Sequence, residues 1–316
     1  MRSVPGFTLS ELLIAMALSL TIISMALTAF SSLNRSARQT QQLAELQQNA
    51  QLINSLFQRE LANIGFWGGG ASPETAIGTT LPAIPSSDCI DPVFDSGSFP
   101  AAGKPFVTLY AGYALNCIAS PLAGSEILQL KRLIGQPTTP AQFRPNRFYF
   151  EANWQQSRFV DTASTDLKAA LDYLPYQHLV FYLQQQLVND ESVPVLMRKR
   201  LSRNAAGEAV ISTDAILDGV ERLHFEFGID TNADGELDYI LPTAQLTADL
   251  WQQQHSRIIS MRYHILLRSR RPDPAYINNQ VYQMGQQQFE APNDSYRRLL
   301  LSSSVFFHNQ LLQGGI

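Results

Sequence analysis

The chain has 316 residues, of which 45% are hydrophobic and 16% are charged, and its formal net charge is −4 at pH 7. This slightly acidic balance excludes a general electrostatic attraction to nucleic acid. The residues that follow position 64 are numerous enough to bury a core of their own.

The first element is an apolar segment at residues 7–30, FTLSELLIAMALSLTIISMALTAF, which follows a short leader that ends in Gly6. As a helix it is roughly 36 Å long, enough to cross the ~30 Å hydrocarbon core of a bilayer. It contains one acid, Glu11. A carboxylate in hydrocarbon costs a few kcal/mol unless it finds a partner. The segment therefore predicts a membrane span with a functional acid.

The sequence GFTLSE at residues 6–11, followed by LLIAMALSL, resembles the type IV prepilin signature. The resemblance implies that a prepilin peptidase cuts after Gly6 and methylates the new amino terminus at Phe7. It also implies that Glu11, fifth from the cut, pairs with the terminal amine of a neighbouring subunit during assembly. Opposite charges that are each costly in a low dielectric are tolerable together.

Two alternatives to a prepilin stay open for this segment. A secretory signal peptide also has a basic start and an apolar stretch, although that stretch is usually shorter. Cleavage at Gly6, which lies before the apolar run, would keep the span. An ordinary signal anchor explains the span but neither the leader nor Glu11.

The charges around the span disagree with the orientation that the motif requires. Arg2 stands alone before the span, while Arg35 and Arg38 follow it, and positive charge favours the cytoplasmic side. Prepilin processing requires the leader, residues 1–6, in the cytoplasm. From the motif we therefore expect a single pass through the bacterial inner membrane, with the rest of the chain in the periplasm and later in the pilus at the cell surface.

The helix is predicted to continue beyond the membrane over residues 31–64. Residues 7–64 contain no proline and no glycine, and apolar side chains recur at spacings of three or four. This pattern predicts an amphipathic helix that lies on a globular domain, in a rod of about 87 Å if unbroken. A coiled coil is the alternative, but the stripe persists for only about three heptads. The stripe consists of Leu46, Ala50, Ile53, Phe57, Leu61 and Ile64.

Residues 65–316 are predicted to form a β-rich globular domain in the periplasm, as one large domain or two subdomains. Short apolar runs separated by turn residues predict strands, and short helices are expected at 165–173 and 243–254. Residues 72–105, rich in Pro, Ser and Gly, are expected to be a long surface excursion. The strands are predicted at 106–112, 126–135, 147–152, 178–186, 193–202, 219–229, 257–270 and 299–309.

Three later segments extend the resemblance. Residues 217–242, 257–270 and 296–309 are similar to the pattern of the PilW family of minor pilins. The resemblance implies an α+β, pilin-like fold, in which a long N-terminal helix packs on a large antiparallel β-rich domain. It also implies a minor pilin that takes part in type IV pilus assembly, in the priming or tip complex.

Two cysteines, Cys89 and Cys117, flank a stretch that can close as a disulfide in an oxidising periplasm. In the loop-entropy model such a ring stabilises the fold by about 3.5 kcal/mol. Two free buried thiols are the alternative, and pilins more often have their disulfide near the C-terminus.

A possible calcium loop lies between two segments that are predicted as strands, RLHFEFGI before it and YILP at residues 239–242 after it. Its oxygen ligands would come from alternating positions around Gly235, as in the front half of an EF-hand. The back half is missing, because Leu241 stands where an EF-hand has its bidentate glutamate. An acidic β-turn without metal is the equal alternative. The ligands would be Asp230, Asn232, Asp234, Glu236 and Asp238.

No sequence pattern supports an enzyme or a required cofactor. The five histidines are scattered without zinc spacing, and there is no nucleophile elbow, phosphate-binding glycine loop or Cys/His nucleophile pattern. Arginine-rich patches at 198–203 and 268–271 can contact nucleic acid or an anionic surface, but the sequence favours solvated strand ends as their explanation. Arg297 and Arg298 are expected to pair with acidic neighbours.

The sequence thus favours a structural protein whose partners are the inner membrane, other minor and major pilins, and the prepilin peptidase that also acts as N-methyltransferase. A type II secretion pseudopilin shares the same signature and stays an alternative. A binding module at the pilus tip, for a surface or for DNA, is a further alternative, supported only by the arginine patches and the possible calcium loop and therefore unproven.

Overall fold

The computed structural model describes residues 8–68, 71–91, 95–153, 155–188, 191–253 and 255–309. One long helix, α1, covers Leu9–Leu61, and a short helix, α2, covers Ala248–Gln252. The other described elements are three single-turn 3₁₀ helices and thirteen strands. The predicted processing positions, Gly6 and Phe7, lie outside the described residues.

Helix α1 combines an exposed apolar half with a half-buried amphipathic half. The first half is exposed, including Leu9, Phe30 and Leu33, whereas the predicted stripe in the second half is buried. The helix ends at Leu61, and Gly65, with φ 81°, turns the chain away because only glycine adopts that conformation easily. The stripe packs on sheets of the same chain, so no coiled-coil partner is needed to bury it.

The first sheet has seven strands, all paired antiparallel. Its path is β1-β2-β5-β3-β4, and β6 pairs with both β5 and β7. The sixteen-residue β5 organises the sheet, because it pairs with β2, β3 and β6 along its length. The bounds are β1 Leu109–Gly112, β2 Ile127–Leu133, β3 Phe148–Glu151, β4 Arg158–Val160, β5 Tyr173–Val188, β6 Glu191–Arg203 and β7 Ala209–Asp218.

The second sheet has four antiparallel strands in the order β13-β10-β8-β9 and carries α1. A separate hairpin, β11–β12, lies between β10 and β13 in the sequence. The bounds are β8 Val220–Asp230, β9 Tyr239–Pro242, β10 Arg257–Arg268, β11 Val281–Met284, β12 Gln287–Glu290 and β13 Arg298–Phe306. The predicted α+β pilin-like architecture is confirmed.

The core lies between α1 and both sheets. Phe57 of α1 contacts the rings of Phe181 on the first sheet and of Phe225 and Tyr263 on the second, with centroids 5.4, 6.3 and 5.3 Å apart. The Cys89–Cys117 disulfide is present, with a Cα–Cα distance of 4.8 Å. The predicted bridge is thus confirmed, and it fixes the long excursion to the segment after β1.

Two local predictions were wrong. Residues 165–173 form turns and the first residue of β5 instead of a helix, because Asp161 and Ser164 hydrogen-bond to nearby backbone and Asp166 has a φ of 59°. The excursion at 72–105 is only partly on the surface. Asp95 and Phe99 are buried, since side chains of the first sheet bind this segment. The helix predicted at 243–254 is present only in part, as the 3₁₀ turn Thr243–Gln245 and α2.

Candidate functional site

Helix α1 begins with a reciprocal cap between Thr8 and Glu11. The Glu11 carboxylate accepts hydrogen bonds from the Thr8 backbone N–H at 2.9 Å and from the Thr8 hydroxyl at 2.8 Å. The Thr8 hydroxyl in turn accepts from the Glu11 backbone N–H at 3.4 Å. This is a capping box, which satisfies N–H groups that a helix start leaves unpaired. Glu11 therefore has a local partner in the single chain, and the Thr-x-x-Glu spacing was the sequence signal for it.

The apolar half of α1 is unpartnered within the described structure. Its large apolar side chains are exposed, and the helix is long and apolar enough to cross a membrane. A soluble domain rarely exposes so large a continuous apolar surface. The helix and the N-terminal motif fit a membrane-anchored pilin.

Polar side chains fix the second half of α1 to the sheets. Gln58 donates to the Tyr263 hydroxyl at 3.1 Å and to the Ser303 hydroxyl at 3.0 Å. The buried Glu60 forms an ion pair with Arg132 on β2. Burial in the low dielectric lowers the pKa of Arg132, and the Glu60 carboxylate opposes that shift. These contacts couple the direction of the helix to both sheets.

A buried polar network holds the long excursion against the first sheet. Lys131 on β2 is 0% exposed and its ammonium lies 2.5 Å from a carboxylate oxygen of Asp95. Nearby, Ser98 donates to Asp88 at 2.6 Å and lies 2.9 Å from Nδ1 of His178. Burial raises the pKa of Asp95 and lowers that of Lys131, because each charge loses its hydration. All five side chains are buried, so the network is structural.

The buried His178 predicts a loss of stability in mild acid. Burial, together with the charge of Lys131, holds the pKa of His178 well below 6.5. The unfolded chain therefore takes up a proton at a higher pH than the folded chain does. The neutral, buried His178 makes its full contribution to the free energy of unfolding above about pH 6.5. This contribution is lost as the pH falls toward the pKa of His178 in the folded chain, at up to about 1.4 kcal/mol per pH unit.

We expect the free energy of unfolding to fall between about pH 6.5 and 5, less steeply in His178→Gln than in the parent chain. Chemical denaturation of the full chain in detergent at several pH values measures both slopes. His255→Gln, at an exposed position, is the matched control and should keep the parent slope. Equal slopes in all three proteins would contradict this assignment.

The acidic loop between β8 and β9 is closed by its own hydrogen bonds. The Asp230 carboxylate accepts from three backbone N–H groups, those of Asn232, Ala233 and Gly235, at 2.7–3.2 Å. Asp238 accepts from the Thr231 backbone N–H. Nowhere in the described part of the chain are three or more His, Cys, Asp or Glu side chains placed, as they stand, to hold a metal ion. Both predicted flanking strands are present.

Calcium binding by this loop stays a prediction. A calcium ion has to compete with the hydrogen bonds within the loop, so we expect a dissociation constant of about 0.1–1 mM, as in weak extracellular calcium sites. Calorimetric titration of the full chain with CaCl₂ should give heat that Asp234→Ala abolishes. The parent chain giving no heat would remove the site.

Four of the arginines that the sequence singled out have acidic partners. Arg198 pairs with Asp214, and Arg203 with Asp161. The predicted pairing of Arg297 and Arg298 is confirmed. Their partners are Asp273 for Arg297, and Glu221 and Asp294 for Arg298.

A basic groove runs along α1 where the helix leaves its apolar half. It has a volume of about 1030 Å³ and lies between the helix and residues 270–275. Arg35, Arg38, Arg270 and Arg271 line it, and among the described residues none of the four forms an ion pair. The Arg35 guanidinium donates to the Ala275 carbonyl at 3.2 Å, which joins the helix to this segment.

The long helix, its exposed apolar half and the antiparallel domain under its second half define a protein of the pilin-like class. Two family models match the chain, the prokaryotic N-terminal methylation motif over residues 1–27 and Type IV Pilus-assembly protein W over residues 180–309. The chain is thus matched as a PilW-like type IV pilin, as the sequence predicted. No curated protein and no solved structure matches it.

The two matches cover different parts of the structure, the apolar start of α1 and the strands that hold its second half. The methylation motif includes Glu11 and the apolar half of α1. The PilW match extends from within β5 to residue 309, just past β13, and includes Tyr263 and Ser303, which hold the second half of the helix. Both matches indicate a structural pilin rather than an enzyme.

Proposed function

We propose that this chain is a minor pilin of the priming or tip complex of the type IV pilus. The observation that carries the proposal is a capped, exposed apolar helix that is held rigidly on a domain matching PilW. Its first half enters the inner membrane before assembly and the helical core of the fibre afterwards. Its partners are other minor and major pilins, and the domain at residues 65–316 faces the periplasm.

Processing controls assembly in this proposal. A prepilin peptidase cuts after Gly6 and methylates Phe7, which creates a charged terminal amine near the start of α1. Glu11 of a neighbouring subunit then pairs with that amine. Before cleavage the Glu11 carboxylate is occupied by Thr8, so the capping box keeps it hydrogen-bonded until a subunit partner arrives.

The experiment compares Glu11→Ala and Glu11→Gln in the native bacterium. Glutamine can keep the capping box but carries no charge. A buried charge pair stabilises an interface only when both charges are present. We therefore expect both variants to insert normally and to enter sheared pili at least about tenfold less than the parent, since about 1.4 kcal/mol corresponds to a factor of ten.

Glu191→Gln, an exposed acid far along the chain, is the control and should incorporate normally. If Glu11→Gln also incorporates normally, Glu11 acts only through the cap and the charge-pairing role fails. Deletion of the gene distinguishes a protein of the type IV pilus from a pseudopilin of type II secretion. Loss of pilus fibres supports the proposal. Intact pili with blocked protein secretion would identify a pseudopilin instead.

A further inference from the structure

The basic groove lies at the level where α1 leaves the membrane in the proposed function. The helix residues that line the groove run from Phe30, the last residue of the apolar segment, to Glu45. Arg35 is five residues beyond Phe30, a rise of about 7.5 Å. The headgroup layer of a bilayer is roughly 5–8 Å deep on each side of the hydrocarbon core. A helix that spans the membrane with residues 7–30 therefore places this end of the groove among lipid headgroups.

The two arginines of the helix share one face and are directed toward the membrane. Arg35 and Arg38 are three residues apart, so their side chains are neighbours on the helix surface. Side chains of an α-helix point back toward its N-terminus, which in α1 is the end that enters the membrane. Both residues are exposed, so their guanidinium groups are accessible to a headgroup.

Two hydrogen bonds hold the second wall of the groove against the helix. The Arg35 guanidinium donates to the Ala275 carbonyl at 3.2 Å, and the Gln42 side-chain amide donates to the Arg271 carbonyl at 3.3 Å. These bonds place Arg270 and Arg271, which are both exposed, on the side of the groove that faces the helix arginines. Guanidinium groups from two distant parts of the chain thus converge on one cleft.

The positive charge of the groove is not cancelled from within. Its lining contains two acids, Asp273 and Glu45, against four arginines. Asp273 accepts hydrogen bonds from Arg297 at 2.7 and 3.1 Å, which lower its pKa, and the nearby charge of Arg35 adds to this effect. Glu45 lies ten residues beyond Arg35, about 15 Å farther from the membrane. An excess of positive charge therefore remains at the membrane end.

The phosphate of an anionic lipid matches this arrangement. A guanidinium donates two parallel hydrogen bonds to phosphate oxygens, and anionic headgroups attract basic residues that lie near the membrane surface. The volume of about 1030 Å³ is at the upper end of the range for small-molecule sites, about 300–1,000 Å³, so a headgroup with its phosphate fits. Nucleic acid fits less well, because the net charge of the chain is −4 and the groove lies beside the bilayer.

We propose that the basic groove binds the phosphate headgroup of an anionic phospholipid in the periplasmic leaflet of the inner membrane, and that this contact orients the β-rich domain on the membrane before assembly. The proposal rests on the membrane span and the orientation in the proposed function. It gives a role to Arg35 and Arg38, whose place after the span disagrees with the charge rule for membrane orientation.

The test is native mass spectrometry of the full chain, purified in detergent and incubated with equal amounts of phosphatidylglycerol and phosphatidylcholine that have identical acyl chains. The parent chain should retain at least about fivefold more phosphatidylglycerol than phosphatidylcholine. Arg38→Gln/Arg271→Gln removes one charge from each wall and should reduce this preference to about twofold or less. The two hydrogen bonds across the groove stay in place, because Arg271 contributes only its backbone carbonyl to them.

Arg144→Gln/Arg262→Gln is the matched control, because it removes two exposed arginines that do not line the groove. It should keep the lipid preference of the parent. Equal retention of both lipids by the parent overturns the proposal. An equal loss of preference in the control also overturns it, because net charge and not the groove would then select the lipid. If the groove variant keeps its lipid preference but loses binding to a short DNA duplex, the groove is a nucleic-acid site and the proposal fails.

Flotation of the full chain with phosphatidylcholine vesicles tests the membrane span separately. The parent and the groove variant should float equally, because the apolar half of α1 alone anchors the chain. A parent chain that does not float contradicts the proposed function together with this proposal. A parent chain that floats but shows no lipid preference contradicts only the headgroup site.

Discussion

Replacing Lys131 with methionine is expected to lower the free energy of unfolding by about 3–5 kcal/mol, the usual cost of leaving one member of a buried ion pair alone. The Lys131 ammonium is fully buried against Asp95, which is itself 2% exposed. Without it, Asp95 keeps hydrogen bonds from Val107 and Gln129 but has no opposite charge. Urea or guanidinium denaturation of the full chain in detergent, followed by tryptophan fluorescence, measures the loss.

The double variant Lys131→Met/Asp95→Asn is the informative control. It removes both charges, so we expect it to recover at least half of the stability that Lys131→Met loses. Lys199→Met, at a partly exposed lysine on β6, should stay within about 0.5 kcal/mol of the parent. A loss below about 1 kcal/mol for Lys131→Met would show that the pair does not hold the excursion.

Replacing Phe57 with alanine is the second large effect, with an expected loss of about 3–5 kcal/mol. The Phe57 ring lies at the centre of the contact between α1 and the two sheets and touches Phe181, Phe225 and Tyr263. A cavity there removes packing on both sheets at once. The same denaturation experiment measures it.

Leu52→Ala on the same helix is the matched control for Phe57→Ala. The Leu52 side chain is 50% exposed and faces away from the stripe, so we expect a change of no more than about 0.5 kcal/mol. If both variants lose the same stability, the helix does not depend on docking to the sheets. If neither loses stability, the docked position of α1 is wrong.

Periodic features were predictable from the sequence. The stripe from Leu46 to Ile64 is buried as predicted, because an apolar face with helical spacing has one energetically favourable partner, a core. Eight strands were placed within a few residues by their apolar runs. Strand β7 was missed, since its mostly half-exposed side chains give little alternation. The short β4 and the hairpin strands β11 and β12 were missed as well.

Long-range polar contacts were not predictable. Lys131 and Asp95, or His224 and His264, lie far apart in the chain, and only the sheet topology brings each pair together. No local pattern encodes such a contact. The Glu11 cap was different, because the Thr-x-x-Glu spacing was visible. The prepilin resemblance, by contrast, implies for Glu11 only a role between subunits.

The N-terminus of the mature protein tests the central claim most directly. Intact mass measurement and N-terminal sequencing of the protein from bacterial membranes should show a chain that begins at Phe7 and carries one added methyl group. Glu11 would then be fifth from a new charged amine, as assembly through that pair requires. A chain that still begins at Met1 and carries no methyl group would contradict the account.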